Sequence, residues 1–269
     1  MPYRFLFIIL FAFQGLIAQV QVVSWNIANF GASKTKEEIA FLAQYLRTYD
    51  IVALQEVVAG PGGAQQVAAL ADALNRKGSQ WDYVVSAPTV SSAYKTERYA
   101  FLWKPSRVKL IGKPWLEATW AQAIDREPFY ATFQFEAHNF TLVNFHAITA
   151  SKQPEREIKY FKFLPAQYPQ LRLLFLGDFN CSDSHTVFNP LRQQGYLPAF
   201  TAQKTSLKKN CVDGDCLSKP FDNIWYPKDF VRIVNPTVLH FYRLFSDFSA
   251  ARSLSDHVPI LVTLEFYKV

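Results

Sequence analysis

The apolar run LRLLFLGDFN, residues 171–180, ends in two polar side chains and limits how this 269-residue chain can fold. Strand side chains alternate between faces, so Asp178 and Asn180 are predicted to present a carboxylate and an amide to one spot at a strand's end. Burying both groups is costly unless something at that spot needs them. The run therefore predicts a functional site at the end of a buried strand.

The same pattern recurs along a chain in which strands alternate with helices. Strands are expected at 20–27, 50–57, 81–87, 99–104, 107–111 and 258–266, with a β-hairpin at 129–147 that turns at His138 and Asn139. Helices are expected after the Thr35–Glu38 capping box, at 64–78 before Gly78, and from Pro154 to about Pro165. Strands are predicted to end in polar residues at Asn26, Glu56, His146, Asp178 and Asp256. Ligands bind at strand ends in α/β proteins, so these side chains are expected to lie together.

The N-terminal segment has the layout of a secretory signal peptide. Arg4 precedes an apolar run that ends near Gly15 and Ala18, which predicts a signal peptide over 1–18 and one domain over 19–269. A buried first strand and a retained anchor are the alternatives. No stretch in the body is long and apolar enough to span a bilayer. The protein is therefore expected to be secreted or periplasmic, with no stable membrane anchor.

The cysteines and the net charge agree with export and with an anionic partner. Cys211 and Cys216 flank VDGD and can close a disulfide in an oxidising compartment, which leaves Cys181 over or competing for one of the pair. Their spacing matches no zinc pattern. The net charge of +6 is compatible with a polyanionic partner.

The side chains at the predicted strand ends point to hydrolysis at a hard metal. The side chains that could bind a metal offer oxygen ligands only, and this set suits Mg²⁺, and also Mn²⁺ or Ca²⁺, better than zinc. They are Asn26, Glu56, Asp178, Asn180 and Asp256. His146 and His257 would then act as an acid and a base around a phosphate. Each histidine needs a carboxylate to orient it, and the candidates are Glu97 and Asp222. Singly, each residue has a structural explanation, and their joint occurrence favours the site.

Seven segments, in order along the chain, resemble the endonuclease/exonuclease/phosphatase superfamily: SWNIANF, DIVALQEV, ERYAFLW, NFHA, GDFN, FDNIW and SDHVPI. YKTERYAFLWKPSRV and DREPFYATF look most like deoxyribonuclease I and its secreted bacterial relatives. The resemblance implies a four-layer α/β sandwich, with two mixed β-sheets packed face to face and helices outside. It also implies a Mg²⁺-dependent phosphodiesterase, an endonuclease that acts on DNA as a monomer.

The resemblance assigns a role to each matching residue. Asn26, Glu56 and Asp256 match metal-site residues. Glu97 matches the carboxylate that orients His146, the general acid or phosphate stabiliser, and Asp222 matches the partner of His257, the general base. Asp178 and Asn180 match the pair that positions the attacking water and the phosphoryl oxygens. Arg126 matches an arginine that contacts a DNA phosphate, and Tyr94 and Arg98 are further candidates for substrate contact.

The chain departs from deoxyribonuclease I at its substrate contacts. Ala28 and Val58 stand where vertebrate relatives carry arginines, and Thr96 shifts Tyr94 relative to Glu97. Lost phosphate contacts weaken binding, so duplex minor-groove binding is in doubt. Cations that can compensate, or that are plain surface charge, are Lys34, Lys36, Lys95, Arg98 and Lys152.

Two further questions stay open at this point. Trp115 and Trp120 either stack on bases or pack in the core, and core packing is the favoured reading. A phosphodiesterase or phosphatase acting on lipids or small phosphorylated molecules shares every catalytic residue and is the first alternative function. A non-catalytic binding module that kept the fold is the second.

Overall fold

The structure is a computed structural model that describes residues 19–91 and 96–267. The predicted signal peptide over 1–18 and the side chain of Tyr94 lie outside the described residues, so both stay predictions.

Two six-stranded mixed sheets form the centre of the molecule. In spatial order, the first sheet contains β13 (Val231–Val238), β14 (Ile260–Phe266), β1 (Gln19–Phe30), β2 (Ile51–Val58), β4 (Glu97–Trp103) and β3 (Asp82–Val85). The second contains β5 (Lys109–Leu116), β6 (Phe129–Phe135), β7 (His138–His146), β8 (Leu173–Asp178), β12 (Asp222–Pro227) and β9 (Tyr196–Pro198). The β1–β2 and β7–β8 pairs are parallel, and the other neighbours are antiparallel.

Helices cover the outer face of each sheet. They are α1 (Lys36–Leu46), α2 (Pro61–Asn75), α3 (Glu155–Ile158), α4 (Leu164–Gln167), α5 (Asn189–Gln193) and α6 (Phe248–Leu254), with 3₁₀ turns at Ala150–Lys152, Phe161–Phe163, Thr186–Phe188 and Phe241–Leu244. None of the helices in the described part of the chain combines the length and the apolar character needed to cross a membrane.

Three apolar clusters separate the layers. The central cluster lies between the sheets and includes Phe101, Phe133 and Leu176. A second packs α1, α2 and α6 on the first sheet, and a third packs the segments around α3, α4 and α5 on the second sheet. The predicted four-layer α/β sandwich, with two mixed sheets face to face, is confirmed.

Local sequence signals explain where the long helices start. Thr35 Oγ1 accepts the Glu38 N–H (3.1 Å) and Glu38 Oε2 accepts the Thr35 N–H (2.7 Å), so the predicted capping box opens α1. α2 starts at Pro61, three residues before the predicted start, because proline fits the first helical turn. It ends at Asn75, three residues before Gly78.

Two predicted elements are wrong in detail. The β6–β7 hairpin turns at Glu136 and Ala137, because Phe135 already pairs with His138 and Glu136 takes the left-handed φ of 51° that the tight turn needs. The helix expected over 154–165 is a chain of short helical turns. A left-handed Gln153 (φ 63°) precedes it, and Pro165 supplies no amide hydrogen.

A two-stranded ribbon, β10 (Leu207–Val212) and β11 (Asp215–Leu217), lies outside both sheets. The disulfide between Cys211 and Cys216 crosses it, and Cys181 is free and buried. The sequence alone leaves the pairing of the three cysteines open, and the structure resolves it.

Candidate active site

The ends of strands from both sheets meet at one edge of the sandwich. Asn26 lies on β1 and Asp178 ends β8, and the Asn26 Nδ2 donates to Asp178 Oδ2 at 3.1 Å. The same Nδ2 lies 3.0 Å from Glu56 Oε1, on β2. One amide therefore joins carboxylates carried by two different sheets.

A β-bulge aims Glu56 at this point. Pairing between β2 and β4 passes from Leu54–Ala100 to Val57–Arg98, so β2 carries one extra residue. Glu56 itself takes a left-handed φ of 58°. Bulges redirect a side chain, and a left-handed backbone at a residue other than glycine costs about 1–3 kcal/mol. The strand thus accepts local strain to place this carboxylate.

Asp178 and Asn180 share one spot as predicted, but strand alternation is not the reason. β8 ends at Asp178, and Asn180 lies in the turn that follows, with a φ of 47°. Its N–H donates to Asp178 Oδ1 (2.8 Å), and its Nδ2 donates to the Ala147 carbonyl (3.1 Å). Phe179 between them is fully buried in the outer cluster of the second sheet. A left-handed turn therefore brings the two side chains together.

The two histidines each face a buried carboxylate and converge on the same oxygen. His146 Nδ1 lies 3.0 Å from Glu97 Oε1, and His257 Nδ1 lies 2.7 Å from Asp222 Oδ2. The Nε2 atoms of both histidines lie 3.5 Å from Asp178 Oδ2. In each ring a carboxylate orients Nδ1, and Nε2 points at the shared Asp178 oxygen. This arrangement suits acid and base chemistry on one small group.

The surrounding carboxylates favour the protonated form of both histidines. Burial is the largest influence on His146 and lowers its pKa, and Arg126 lowers it too, but the Glu97 and Asp178 carboxylates together raise that pKa above its ordinary value. Burial likewise opposes protonation of His257, and Asp222 and Asp178 hold its pKa well above the usual range.

The two aspartates that face His257 respond in opposite directions. Burial works to raise the pKa of Asp178, yet the two histidines and the Asn180 N–H bring it below its ordinary value. At Asp222 burial dominates and raises the pKa, against the opposing effect of His257. Protonation of His257 therefore depends on both aspartates.

An unpartnered oxygen marks where a cation fits. Asn26 Oδ1 is buried and has no hydrogen-bond partner among the described residues, while its Nδ2 holds Glu56 and Asp178. A buried amide oxygen beside two carboxylates is the donor set that Mg²⁺, Mn²⁺ or Ca²⁺ takes. Ligand atoms of Asp178, Asp222 and His257 also lie within 4.8 Å of one another. The residues present fit a divalent cation.

Asp256 reaches this centre from a loop. It follows α6 and precedes β14, so the prediction that a strand ends there is wrong. Its side chain is half-buried, and its charge adds to the forces that raise the pKa of His257. Lys34 is buried as well, and its Nζ donates to the carbonyls of Ser253 (3.0 Å) and Leu254 (2.7 Å). Lys34 therefore caps α6 and holds the loop that carries Asp256 and His257.

Arg126 is buried behind His146. Its Nε donates to the His146 carbonyl (3.0 Å), its Nη1 to Glu97 Oε2 (3.3 Å), and its Nη2 to the Ala147 carbonyl. The contact with a DNA phosphate stays a prediction, and in this structure the guanidinium fixes the Glu97–His146 pair. Arg98 is turned away from that pair and donates to the Ala59 (2.8 Å) and Ser86 (2.7 Å) carbonyls.

The remaining candidate cations and the two tryptophans occupy different surroundings. Lys36 and Lys152 are exposed, and Lys95 lies outside the described residues. Trp115 is half-buried and stacks on Tyr130 (4.9 Å between ring centroids). Trp120 stacks on Phe163 (5.3 Å). Both rings pack against the core cluster of the second sheet, which agrees with the reading favoured from the sequence.

Several supporting residues escaped the sequence analysis. Thr205 Oγ1 donates to Asp222 Oδ2 (2.7 Å), and Ser255 Oγ accepts the His257 N–H (3.0 Å). Gln55 Nε2 donates to Asn144 Oδ1 (2.6 Å) and so joins the two sheets beneath the site. Gln55 and Asn144 interrupt apolar strands, a signal that can identify them, whereas nothing local marks Thr205 or Ser255.

Comparison with known proteins places this geometry in a wider group. The Endonuclease/Exonuclease/phosphatase family profile matches residues 23–257. A deoxyribonuclease from Thioalkalivibrio sp. (strain K90mix) is 28% identical over 270 residues, which cover 93% of this chain and 72% of that protein. Deoxyribonuclease-1 of Canis lupus familiaris is 29% identical, covering 94% and 93%. The structure of D. rerio TDP2 complexed with single strand DNA product is similar with a TM-score of 0.63 at 18% identity, covering 92% and 99%.

Proposed function

The chain belongs to the endonuclease/exonuclease/phosphatase family, and on that basis we propose that it is a Mg²⁺-dependent phosphodiesterase, an endonuclease that hydrolyses DNA. One observation carries the proposal: the Nε2 atoms of His146 and His257 both lie 3.5 Å from Asp178 Oδ2, each backed by its own carboxylate. Relatives named as deoxyribonucleases support DNA as the substrate.

The residues divide the reaction between them. His257 acts in its neutral form, which a bound cation would favour by opposing the carboxylates that raise its pKa. Its Nε2 then takes a proton from water, while Asp222 holds its Nδ1–H and stabilises the imidazolium that forms. Protonated His146 and the Asn180 amide donate to phosphoryl oxygens as negative charge develops on them. Asp178, between the two rings, orients the water.

A divalent cation, when bound, would supply a Lewis acid for the phosphate oxygens. Asn26 through its free Oδ1, Glu56 and Asp256 are the residues that would hold it. Everything else in the reaction scheme is provided by side chains of one chain, which supports our proposal that the protein acts as a monomer. The signal-like segment over 1–18, which export would remove, supports our proposal that no membrane anchor remains.

We also propose that the mature protein is secreted or periplasmic. The signal-like segment over 1–18 supports this. The Cys211–Cys216 disulfide supports it as well, because disulfides persist in oxidising compartments. Mass spectrometry of the exported protein tests the proposal: a mature N-terminus near Gln19 is expected, and an intact Met1 in a cytosolic fraction contradicts it.

A second candidate function is hydrolysis of small phosphorylated molecules. Ala28 and Val58, which replace the arginines of deoxyribonuclease I, favour it, because Val58 presents an apolar side chain, 37% exposed, beside the metal-site strand. Such a substrate needs no extended phosphate contacts.

Nicking of supercoiled plasmid by the chain from residue 19 onward tests the proposed function. We expect cleavage with Mg²⁺, none with EDTA, and a loss of about 10²–10⁴-fold in rate for His257→Ala. His138→Ala is the matched control, since His138 lies at the opposite end of β7 from His146 and should leave the rate unchanged. Intact plasmid in all metals, together with hydrolysis of 4-nitrophenyl phosphate, contradicts the endonuclease and favours the small-molecule candidate.

A further inference from the structure

A cationic face lies on the outside of the helical segment that follows β7. Backbone hydrogen bonds continue through this segment, from Lys159 N–H to the Glu155 carbonyl (3.2 Å) and from Phe163 N–H to the Tyr160 carbonyl (3.0 Å). The inner side buries Glu157, Ile158, Phe161 and Leu164. The outer side carries Arg156, Lys159 and Lys162, each three residues after the last, so the three cations share one face.

These cations have no acidic partner in the part of the chain that the structure describes. Within residues 19–91 and 96–267, none of the three forms an ion pair. Glu157 points inward, where its carboxylate accepts the Asp125 (2.7 Å) and Ile148 (2.9 Å) amides. Glu155 lies close enough to Cys181 for its charge to act on that thiol. Burial of Cys181, and after it the Glu155 charge, raises the pKa of the thiol to about 12. The outer face is therefore positively charged and complementary to an anionic chain.

Aromatic rings lie among these cations. Trp120 stacks on Phe163 (5.3 Å, 17° between planes) and touches Tyr160 (4.9 Å). The Lys159 ammonium lies 5.1 Å from the Tyr160 ring and that of Lys162 lies 4.9 Å from the Phe163 ring. Phe163 is 43% exposed. Cations that alternate with rings match a strand in which phosphates alternate with bases.

This surface adjoins the catalytic strand ends. Phe161, on the inner side of the same segment, packs against Phe145 (4.7 Å), which immediately precedes His146. It also meets Phe179 (6.1 Å), which lies between Asp178 and Asn180. The outer face therefore lies on the far side of this helical segment from the strands that carry His146 and Asp178, and such a segment is roughly 10 Å across.

We propose that this surface, called the α3 ridge, binds single-stranded nucleic acid on one side of the phosphate that is cleaved. The ridge consists of Arg156, Lys159, Lys162, Trp120, Tyr160 and Phe163. The cations contact backbone phosphates, and an unpaired base stacks at the exposed Phe163 ring. A single strand fits because rings can stack only on bases that are free of a duplex. The inference rests on the proposed function and explains how the chain gains affinity without arginines at positions 28 and 58.

Binding of a labelled 20-nucleotide single strand in EDTA tests the ridge without turnover. The variant R156Q/K159Q/K162Q removes about three phosphate contacts, so the slope of log K against log salt should fall by about 2, which corresponds to about fiftyfold weaker binding at 0.15 M salt. R76Q/K77Q/K109Q is a matched control with one arginine and two lysines, all exposed and outside the ridge. We expect the control to lose far less affinity for the single strand, because its substitutions remove only charge that makes no specific phosphate contact.

Two further measurements locate the contact. The strand should quench tryptophan fluorescence of the wild type, and Trp120→Phe should remove most of that quenching while the strand still binds. Hydrolysis of bis(4-nitrophenyl) phosphate should be equal in the ridge variant, the control and the wild type, because this small diester does not reach the ridge.

Specific outcomes overturn the inference. One is equal loss of affinity for the single strand in the ridge variant and in its control. The other is ridge-dependent binding to phosphatidylserine vesicles with no binding to the oligonucleotide, which assigns the surface to membranes. Failure of the proposed function is a separate result: the wild type would then leave plasmid intact in every metal, whatever its binding in EDTA.

Discussion

Replacing Arg126 tests whether this buried side chain supports the catalytic pair or contacts DNA. Its guanidinium holds Glu97 Oε2 and the carbonyls of His146 and Ala147, and Arg126 and Glu97 are both buried. Arg126→Met leaves the Glu97 charge without its cation and two carbonyls without donors. Removing one partner of a buried pair costs about 3–5 kcal/mol. We therefore expect a loss of that size in the free energy of unfolding.

Urea denaturation gives the loss directly, and the melting temperature should fall by about 6–20 °C, since 1 kcal/mol corresponds to about 2–4 °C in a chain of this size. Arg126→Lys keeps the charge but not the planar fork, so it should recover only part of the stability. A double-mutant cycle with Glu97→Gln should show coupling between the two positions, because they are in direct contact.

Kinetics separate the two roles of Arg126. If it holds Glu97 and His146, Arg126→Lys lowers kcat on bis(4-nitrophenyl) phosphate as much as on DNA. If it contacts a DNA phosphate, Arg126→Lys leaves hydrolysis of the small diester unaffected. The slope of log KM for DNA against log salt then falls by the amount expected for about one phosphate contact. A stability loss below about 1 kcal/mol in Arg126→Met, with normal hydrolysis of the small diester, refutes the supporting role.

Three more predictions follow from the site. In EDTA, the free energy of unfolding should fall as pH rises from about 6.5. His146 and His257 have raised pKa values in the folded state, so their protonated forms stabilise the fold at lower pH and this contribution is lost as they deprotonate. A free energy of unfolding that rises over this range contradicts the prediction. Saturating Mg²⁺, at 100 times its Kd, should stabilise the wild type by about 2.7 kcal/mol in thermal unfolding, and Asn26→Leu should abolish that gain. Gly177→Ala should cost about 2–6 kcal/mol in urea, because its Cβ would meet the Phe145 carbonyl at 1.9 Å and its φ is 132°. Gly60→Ala has open space, so it should cost far less, about 1 kcal/mol or below for an N-cap position that prefers glycine to alanine.

The sequence predicts the strand ends well because a polar residue in an apolar run is a strong local signal. Glu56, Asp178 and His146 each interrupt such a run, and burial of these groups needs a reason that only a shared site supplies. The capping box at Thr35 is equally local and is confirmed. Features of this kind depend on a few neighbouring residues.

Other parts of the site depend on contacts between distant segments, and the sequence does not reveal them. The bulge at Glu56 exists because the register between β2 and β4 shifts by one residue, and no residue near Glu56 signals that shift. Arg126 and Lys34 are both cations in polar stretches, which predicts exposure. Each is buried because a carboxylate or a helix end that is distant in sequence accepts its hydrogen bonds. The sequence predicts the hairpin turn two residues late because Asn139 is a common turn residue, whereas pairing from Phe135 decides the register.

The distribution of charge supports the proposed need for a cation at the site. The protein carries a net charge of +6, yet its site concentrates negative charge, with carboxylates at Glu56, Glu97, Asp178, Asp222 and Asp256. Arg126 offsets Glu97, and the two histidines, even when protonated, leave a carboxylate excess around Asp178 Oδ2. A phosphate ester that approaches this point is repelled unless a divalent cation at Asn26 and Glu56 neutralises the excess. Cations outside the site, such as those of the α3 ridge, can attract a polyanion but cannot reach that point. The metal dependence that we propose would therefore have an electrostatic cause at this site, independent of the Lewis-acid chemistry that the ion would add.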